Sequence, residues 1–130
     1  MFPQTLSPVG RAKSGLMYPY RTPTLRLQPL RYREGVVFRD VDTSADEVGH
    51  VCLTAFPAYR ELYIDYFEVA AAFRGQGYGR EMYQWVEGYA RRRGMRQILL
   101  TPYDAALPFW LRMGFHVIST ETYEMMKPLR

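Results

Sequence analysis

The sequence predicts a mixed α/β (α+β) domain, and three observations carry that prediction. The run Phe67 to Arg80 is an apolar strand that ends in three alternating glycines and opens an amphipathic helix. A second short apolar run, Gln97 to Thr101, follows the helix and completes a β-loop-α-β unit. Ahead of that unit, β-branched and aromatic runs separated by turn formers read as antiparallel strands.

Taken in order, Thr24-Leu25-Arg26-Leu27-Gln28 alternates and reads as an edge strand, with Pro29 limiting how far it pairs. Gly35 to Val41 is a strand, Asp42 to Asp46 supplies turn formers, and Val48 to Phe56 is the antiparallel partner. Pro57 to Arg60 then turns the chain into Glu61 to Val69, whose composition predicts a central strand. From Tyr78 to Arg93, Met82, Tyr83, Val86, Tyr89 and Ala90 share one helical face, while Arg80, Glu81, Gln84, Glu87 and Arg91 share the other. Arg91-Arg92-Arg93 suits the negative end of the helix dipole and Gly94 closes the helix. Gln97 to Thr101 is expected to lie parallel to the central strand through a right-handed crossover. Asp104 is placed to cap a second short helix that ends near Met113, with Pro108 in its first turns and Gly114 as its stop. Phe115 to Thr120 and Tyr123 to Met126 are read as the last two strands.

Glycines between a strand and a helix let the backbone approach an anion, and the free N–H groups of the first helical turn point at it. A dinucleotide fingerprint would need its third glycine where Arg80 stands, and a P-loop would need a Gly-Lys-Ser/Thr ending. Arg74-Gly75-Gln76-Gly77-Tyr78-Gly79 instead resembles the Arg/Gln-x-x-Gly-x-Gly/Ala acyl-CoA-binding motif of the GNAT superfamily of N-acetyltransferases. Downstream, Ala106-Leu107-Pro108-Phe109-Trp110-Leu111-Arg112-Met113-Gly114-Phe115 is similar to the same family's Ala-x-x-x-aromatic-x-x-x-Gly-Phe segment.

This resemblance, spanning roughly Val36 to Met126, implies a GNAT-like mixed, mostly antiparallel sheet. Its two neighbouring parallel strands splay apart around the pantetheine arm of the cofactor. It implies that backbone N–H groups of Gln76, Gly77, Tyr78, Gly79 and Arg80 take the CoA pyrophosphate. Gly75 shapes the loop, Arg74 adds positive charge, and the Val69 main chain bonds the pantetheine or acetyl group. Trp110 stands on the cofactor side where many members carry a tyrosine that protonates the departing thiolate, and an indole N–H is no practical acid. Tyr103 replaces the family's usual asparagine and is a candidate source of the missing hydroxyl. Members also carry two helices between their first and second strands, a stretch this chain lacks. The acceptor site is therefore minimal, or completed by the N-terminal arm or by a second subunit in a homodimer.

For acetyl transfer to an amine, a base must take a proton from the acceptor. Asp65 and Glu68 are the carboxylate candidates, and their odd separation on a strand puts them on opposite faces, so one of the two can face the cleft. The bland role for each is an exposed carboxylate.

At 130 residues and 48% hydrophobic, the chain is read as one globular domain, residues 32–130, preceded by an arm, residues 1–31. The arm carries Arg11, Lys13, Arg21, Arg26 and Arg31 without an acid, which accounts for the net charge of +4, because the remainder holds 12 basic against 13 acidic residues. It also holds five of the nine prolines, which favours extended chain. Neither the arm nor the arginine triplet comes with a recognised nucleic-acid module, so nucleic acid is not the expected partner, though the charge leaves it open. Cys52 is the single cysteine, which excludes an internal disulfide and suits a reducing, cytoplasmic compartment. His50 and His116 with that cysteine make no zinc ligand set, so no metal is expected. No signal peptide or membrane-spanning run is read in the sequence. The expectation is an acetyl-CoA-dependent N-acetyltransferase acting on an amine of a protein or small molecule. The alternative is a non-catalytic acyl-CoA-binding or interaction module, which Trp110 and the missing helices favour.

Overall fold

A seven-stranded sheet organises the computed structural model, which describes residues 27–32, 35–40 and 47–129. Its elements are β1 (Leu27–Tyr32), β2 (Gly35–Asp40), β3 (Glu47–Phe56), β4 (Glu61–Val69), α1 (Tyr78–Arg92), β5 (Gln97–Leu100), α2 (Leu107–Arg112), β6 (His116–Val117) and β7 (Met125–Pro128). The strand order is β1-β2-β3-β4-β5-β7-β6, and every pairing is antiparallel except β4 with β5. This is the mixed, mostly antiparallel sheet that the sequence predicts, with α1 as the crossover between its two parallel strands.

Several elements differ from expectation for physical reasons. The edge strand runs from Leu27 to Tyr32, and Pro29 pairs opposite Phe38 inside it. Proline is tolerated there because an edge strand has an unpaired side. Leu27 to Arg31, read as part of the arm, therefore belong to the sheet, while Thr24–Arg26, the rest of the arm and the turn at 42–46 lie outside the described residues. Asp104 does not cap a helix: it is the first residue of a 3-10 turn, Asp104–Ala106, and neither that turn nor α2 has a side-chain cap. β6 is shorter than the expected Phe115 to Thr120, β7 begins two residues later than expected at the same length, and β7 inserts between β5 and β6.

Both helices lie on one face of the sheet. α1 buries Met82, Tyr83, Trp85, Val86 and Ala90, with Trp85 edge-on to Phe38 of β2 at 5.6 Å. Trp85 was absent from the expected face, although its position three residues after Met82 and four before Tyr89 is that of a core residue. α2 meets α1 where the Trp110 and Tyr83 rings cross edge-on at 5.8 Å. At Gly49 a Cβ would sit 2.3 Å from the Glu68 carbonyl oxygen of β4 and 2.8 Å from Met82 Sδ of α1.

A bulge in β4 decides which side chains share a face. Cys52 pairs with Tyr66 and Leu53 with Ile64, leaving Asp65 as the extra residue. Leu62 and Ile64 below the bulge, and Phe67 and Val69 above it, all pack into the helix-side core. Asp65 and Glu68 are therefore not on opposite faces: the inserted residue reverses the alternation and puts Asp65, Tyr66 and Glu68 together on the face away from the helices.

Candidate active site

The cleft exists because β4 outruns its neighbour. The parallel ladder with β5 ends at Ile64–Leu100, so beyond the bulge Tyr66 to Val69 pair with β3 alone and the strands splay. A cavity of about 430 Å³ opens there, with Phe67 and Val69 of β4, Phe109 and Trp110 of α2 and the glycine loop among its walls. Most of its wall is apolar, as a pantetheine chain requires.

The loop is shaped by its glycines. Gly75 (φ 75°) and Gly77 (φ 90°) adopt the left-handed conformation that other residues resist. Gly79 serves differently: a Cβ there would lie 3.2 Å from the Phe109 ring, so its lack of a side chain lets α1 approach α2 across the cleft. Gly77 is the N-cap of α1 and offers no side chain to the first-turn N–H groups. Those donors are left for an anion, and the helix dipole favours one.

The other candidates divide. Arg80 lines the cleft and Gln76 does not; the Gln76 amide nitrogen donates to the Ala72 carbonyl oxygen at 3.3 Å. Tyr78 turns its side chain away, its hydroxyl donating to Asp40 Oδ2 at 2.9 Å. Asp40 is only 5% exposed, so this contact moors the start of α1 to β2. Any role of Gln76 and Tyr78 toward a phosphate is thus a backbone one. Trp110, 4% exposed, is packed among Phe67, Tyr83, Phe109 and Phe115.

A second opening of about 420 Å³ lies on the other face, walled by Tyr66, Glu68, Tyr103 and Ala105, and it shares Phe67, Val69, Arg74 and Ala106 with the first. Here the Tyr66 hydroxyl donates to Glu68 Oε1 at 2.5 Å, and the Tyr66 ring stacks on His50 at 4.8 Å. The hydrogen bond to Glu68, aided by desolvation, pushes the Tyr66 phenol up to about 12. Asp65 instead accepts from the Thr54 hydroxyl at 2.5 Å and lines a smaller pocket of about 140 Å³ with Tyr66 and Tyr103. Tyr103, on the wall of both, is 75% exposed. Tyr66 was not singled out from sequence, although Glu68 lies two residues on along the same strand face; its His50 contact depends on the β3–β4 register. Among the described residues no cluster of His, Cys, Asp or Glu is arranged to hold a metal.

The sequence itself matches the model of the acetyltransferase (GNAT) family over residues 13–115. The chain belongs to the GNAT family. The match begins inside the segment read as the arm. Mouse N-alpha-acetyltransferase 80 is 34% identical over 71 residues, a stretch that covers 54% of this chain and 22% of that relative. The GNAT chain therefore spans about a fifth of that relative's length. Among solved structures, Tetrahymena GCN5 aligns with a TM-score of 0.63 at 14% identity, covering 76% of this chain and 71% of that one. The PaiA N-acetyltransferase of Thermoplasma acidophilum, solved in complex with coenzyme A, aligns with a TM-score of 0.62 at 13% identity, covering 73% and 60%. At these identities the likeness is one of fold. No helix among the described residues of this GNAT domain is long and apolar enough to cross a membrane.

Proposed function

We propose that this GNAT domain transfers an acetyl group from acetyl-CoA to an amine presented at the face that carries Tyr66, Glu68 and Tyr103. The observation that supports this most is the pair of openings that share Phe67, Val69, Arg74 and Ala106. One has the apolar walls and open helix N-terminus suited to acyl-CoA; the other has a carboxylate suited to an amine. Bound acetyl-CoA supplies a thioester carbonyl, which the amine attacks as the C–S bond breaks and the thiolate leaves.

The chain's own residues divide the remaining work. First-turn N–H groups of α1 hold the diphosphate, with Arg80 beside them. Phe67, Phe109 and Trp110 exclude water from the pantetheine arm. Glu68 takes the amine's proton, directly or through water, because alkyl ammonium groups are protonated at neutral pH and do not attack. The Tyr66 hydroxyl orients the carboxylate. Water or the exposed Tyr103 returns a proton to the thiolate. A reducing, cytoplasmic setting fits this chemistry and the lone Cys52. The second reading, a binding module without turnover, is favoured by Trp110, which fills the family's tyrosine position with a buried indole.

The test is the melting temperature with and without acetyl-CoA, beside Gly77→Glu, followed by acetylation of a panel of amines and peptides. At a hundred times its dissociation constant, acetyl-CoA stabilises the native state by about 2.7 kcal/mol, a shift of several degrees. Gly77→Glu abolishes the shift by straining the left-handed backbone and by placing a negative charge where the diphosphate sits. A wild-type chain without a shift refutes the proposal; a shift without turnover on any acceptor selects the binding module.

A further inference from the structure

Asp65 is the residue that the bulge inserts into β4, and the chemistry assigned to Glu68 does not use it. Its carboxylate lines the pocket of about 140 Å³, which shares Tyr66, Phe67, Tyr103 and Ala106 with the larger opening beside Glu68. The two spaces therefore adjoin, with a carboxylate at either end and the Tyr66 and Tyr103 rings on the walls between. Among the described residues no cation pairs with Asp65, whose partner is the Thr54 hydroxyl. The Glu68 end, by contrast, has Arg74 at 3.4 Å.

We propose that this pair of openings selects acceptors that carry a second cationic group, held by Asp65 while the reacting nitrogen sits at Glu68. The inference rests on the function proposed above and names the acceptor class for that site. Three residues of strand separate the two carboxylates by roughly 10 Å, and the bulge shortens that span. A linear diamine, or a peptide whose first residue is followed by arginine, sets two nitrogens at a comparable separation. Both sources offer the same chemistry. The far nitrogen keeps its proton, because the carboxylate of Asp65 favours the charged form, and the two phenol rings give the alkyl chain an apolar bed and the cation an aromatic face. The near nitrogen gives its proton to Glu68 and forms the bond to the acetyl carbon as the C–S bond breaks. A monoamine reaches Glu68 alone and leaves the Asp65 end to water. An acceptor with a carboxylate in the second position meets like charge there, so selection works by attraction and by exclusion.

Asp65 is exposed, so Asp65→Asn keeps the shape and the acceptor for Thr54 and removes only the charge. Initial-rate kinetics of the full chain with acetyl-CoA compares 1,6-diaminohexane with 1-aminohexane, and Ala-Arg-Ala amide with Ala-Gln-Ala amide. The two pairs separate a small-molecule acceptor from a peptide one. In wild type the dicationic member of at least one pair has a kcat/KM about fivefold higher, the upper end for an exposed ion pair, once the statistical advantage of two equivalent amines is divided out. Raising the salt concentration shrinks that advantage. Asp65→Asn brings the ratio to about one by raising KM for the dication, whereas Glu68→Gln lowers kcat for both members alike. Equal use of both members of each pair by wild type, or a preference that survives Asp65→Asn, overturns the inference while the proposed function stands. No turnover on any of the four acceptors, with the acetyl-CoA melting shift intact, removes the inference together with the transferase reading.

Discussion

The two halves of β4 are one strand by sequence and two different objects in the fold. From Glu61 to Ile64 it is paired on both sides, with β3 and with β5, and Leu62 and Ile64 are buried. From Tyr66 to Val69, beyond the bulge, it is paired with β3 alone, and its residues line openings on both faces. Full pairing leaves no free backbone group and no space, so the lower half can contribute stability but no chemistry. The upper half gives up one ladder of hydrogen bonds, and the freed edge becomes the wall of a site.

The sharpest way to break this division is to truncate one core side chain in each half. Leu62→Ala removes a residue that is 1% exposed and costs about 2–5 kcal/mol, lowering the melting temperature by roughly 10 °C or more. The relative melting shift with acetyl-CoA survives in whatever fraction stays folded. Phe67→Ala removes a half-buried ring that contacts Trp110 at 4.9 Å and Phe109 at 5.8 Å. It costs less, about 1–2 kcal/mol, but abolishes the acetyl-CoA shift. Thermal melts with and without acetyl-CoA decide this. Equal loss of the ligand effect in both variants would show that the two halves are not functionally separate.

What the sequence revealed follows the same line. The glycine loop was legible because Gly75 and Gly77 need φ above zero, a demand that few other residues meet. The order of strands and helices was legible because burial imposes periodicity on side chains. The bulge was not, since Ile64-Asp65-Tyr66 contains no glycine or proline to mark an inserted residue. That single residue reversed the expected faces of Asp65 and Glu68. Tyr66 was hidden for a related reason: its stack on His50 depends on register across strands, although its i, i+2 spacing from Glu68 was a signal in the sequence. Gly49 sits in a strand without any local signal, and only the closeness of the Glu68 carbonyl oxygen on β4 and of Met82 on α1 gives it a role.

A smaller effect tests whether the far face acts as a unit. Tyr66→Phe removes the hydroxyl from Glu68 while keeping the ring stacked on His50. Turnover in an acetylation assay falls about tenfold, the worth of one well-formed hydrogen bond to a charged group. The dissociation constant of acetyl-CoA stays unchanged, since the hydroxyl is not on the cofactor side. Steady-state kinetics beside direct titration separates the two; a loss of acetyl-CoA binding equal to the loss of turnover would place Tyr66 with the cofactor instead.

The mildest effect concerns a clamp on the doubly paired half. Lys127 of β7 donates to Glu87 Oε1 of α1 at 2.7 Å and to the Met113 carbonyl oxygen at 2.8 Å, and Arg91 reaches Glu87 Oε2 at 2.8 Å. Partial burial alone would raise the Glu87 carboxyl, but hydrogen bonds from Lys127 and Arg91 outweigh it and hold the group below its ordinary 4.5. A carboxylate whose folded value is depressed stabilises the native state above its unfolded value, and loses that contribution as pH falls through the folded one. The melting temperature therefore drops as pH falls below 4.5 in wild type, and drops less in Lys127→Met, which starts lower at neutral pH. Lys127 lies opposite Ile98, which lies opposite Leu62, so the clamp acts on the lower half of β4. Acetyl-CoA affinity, measured at neutral pH, is accordingly the same in Lys127→Met as in wild type. A parallel loss of affinity would mean that strain in the lower half is transmitted through the bulge to the cleft.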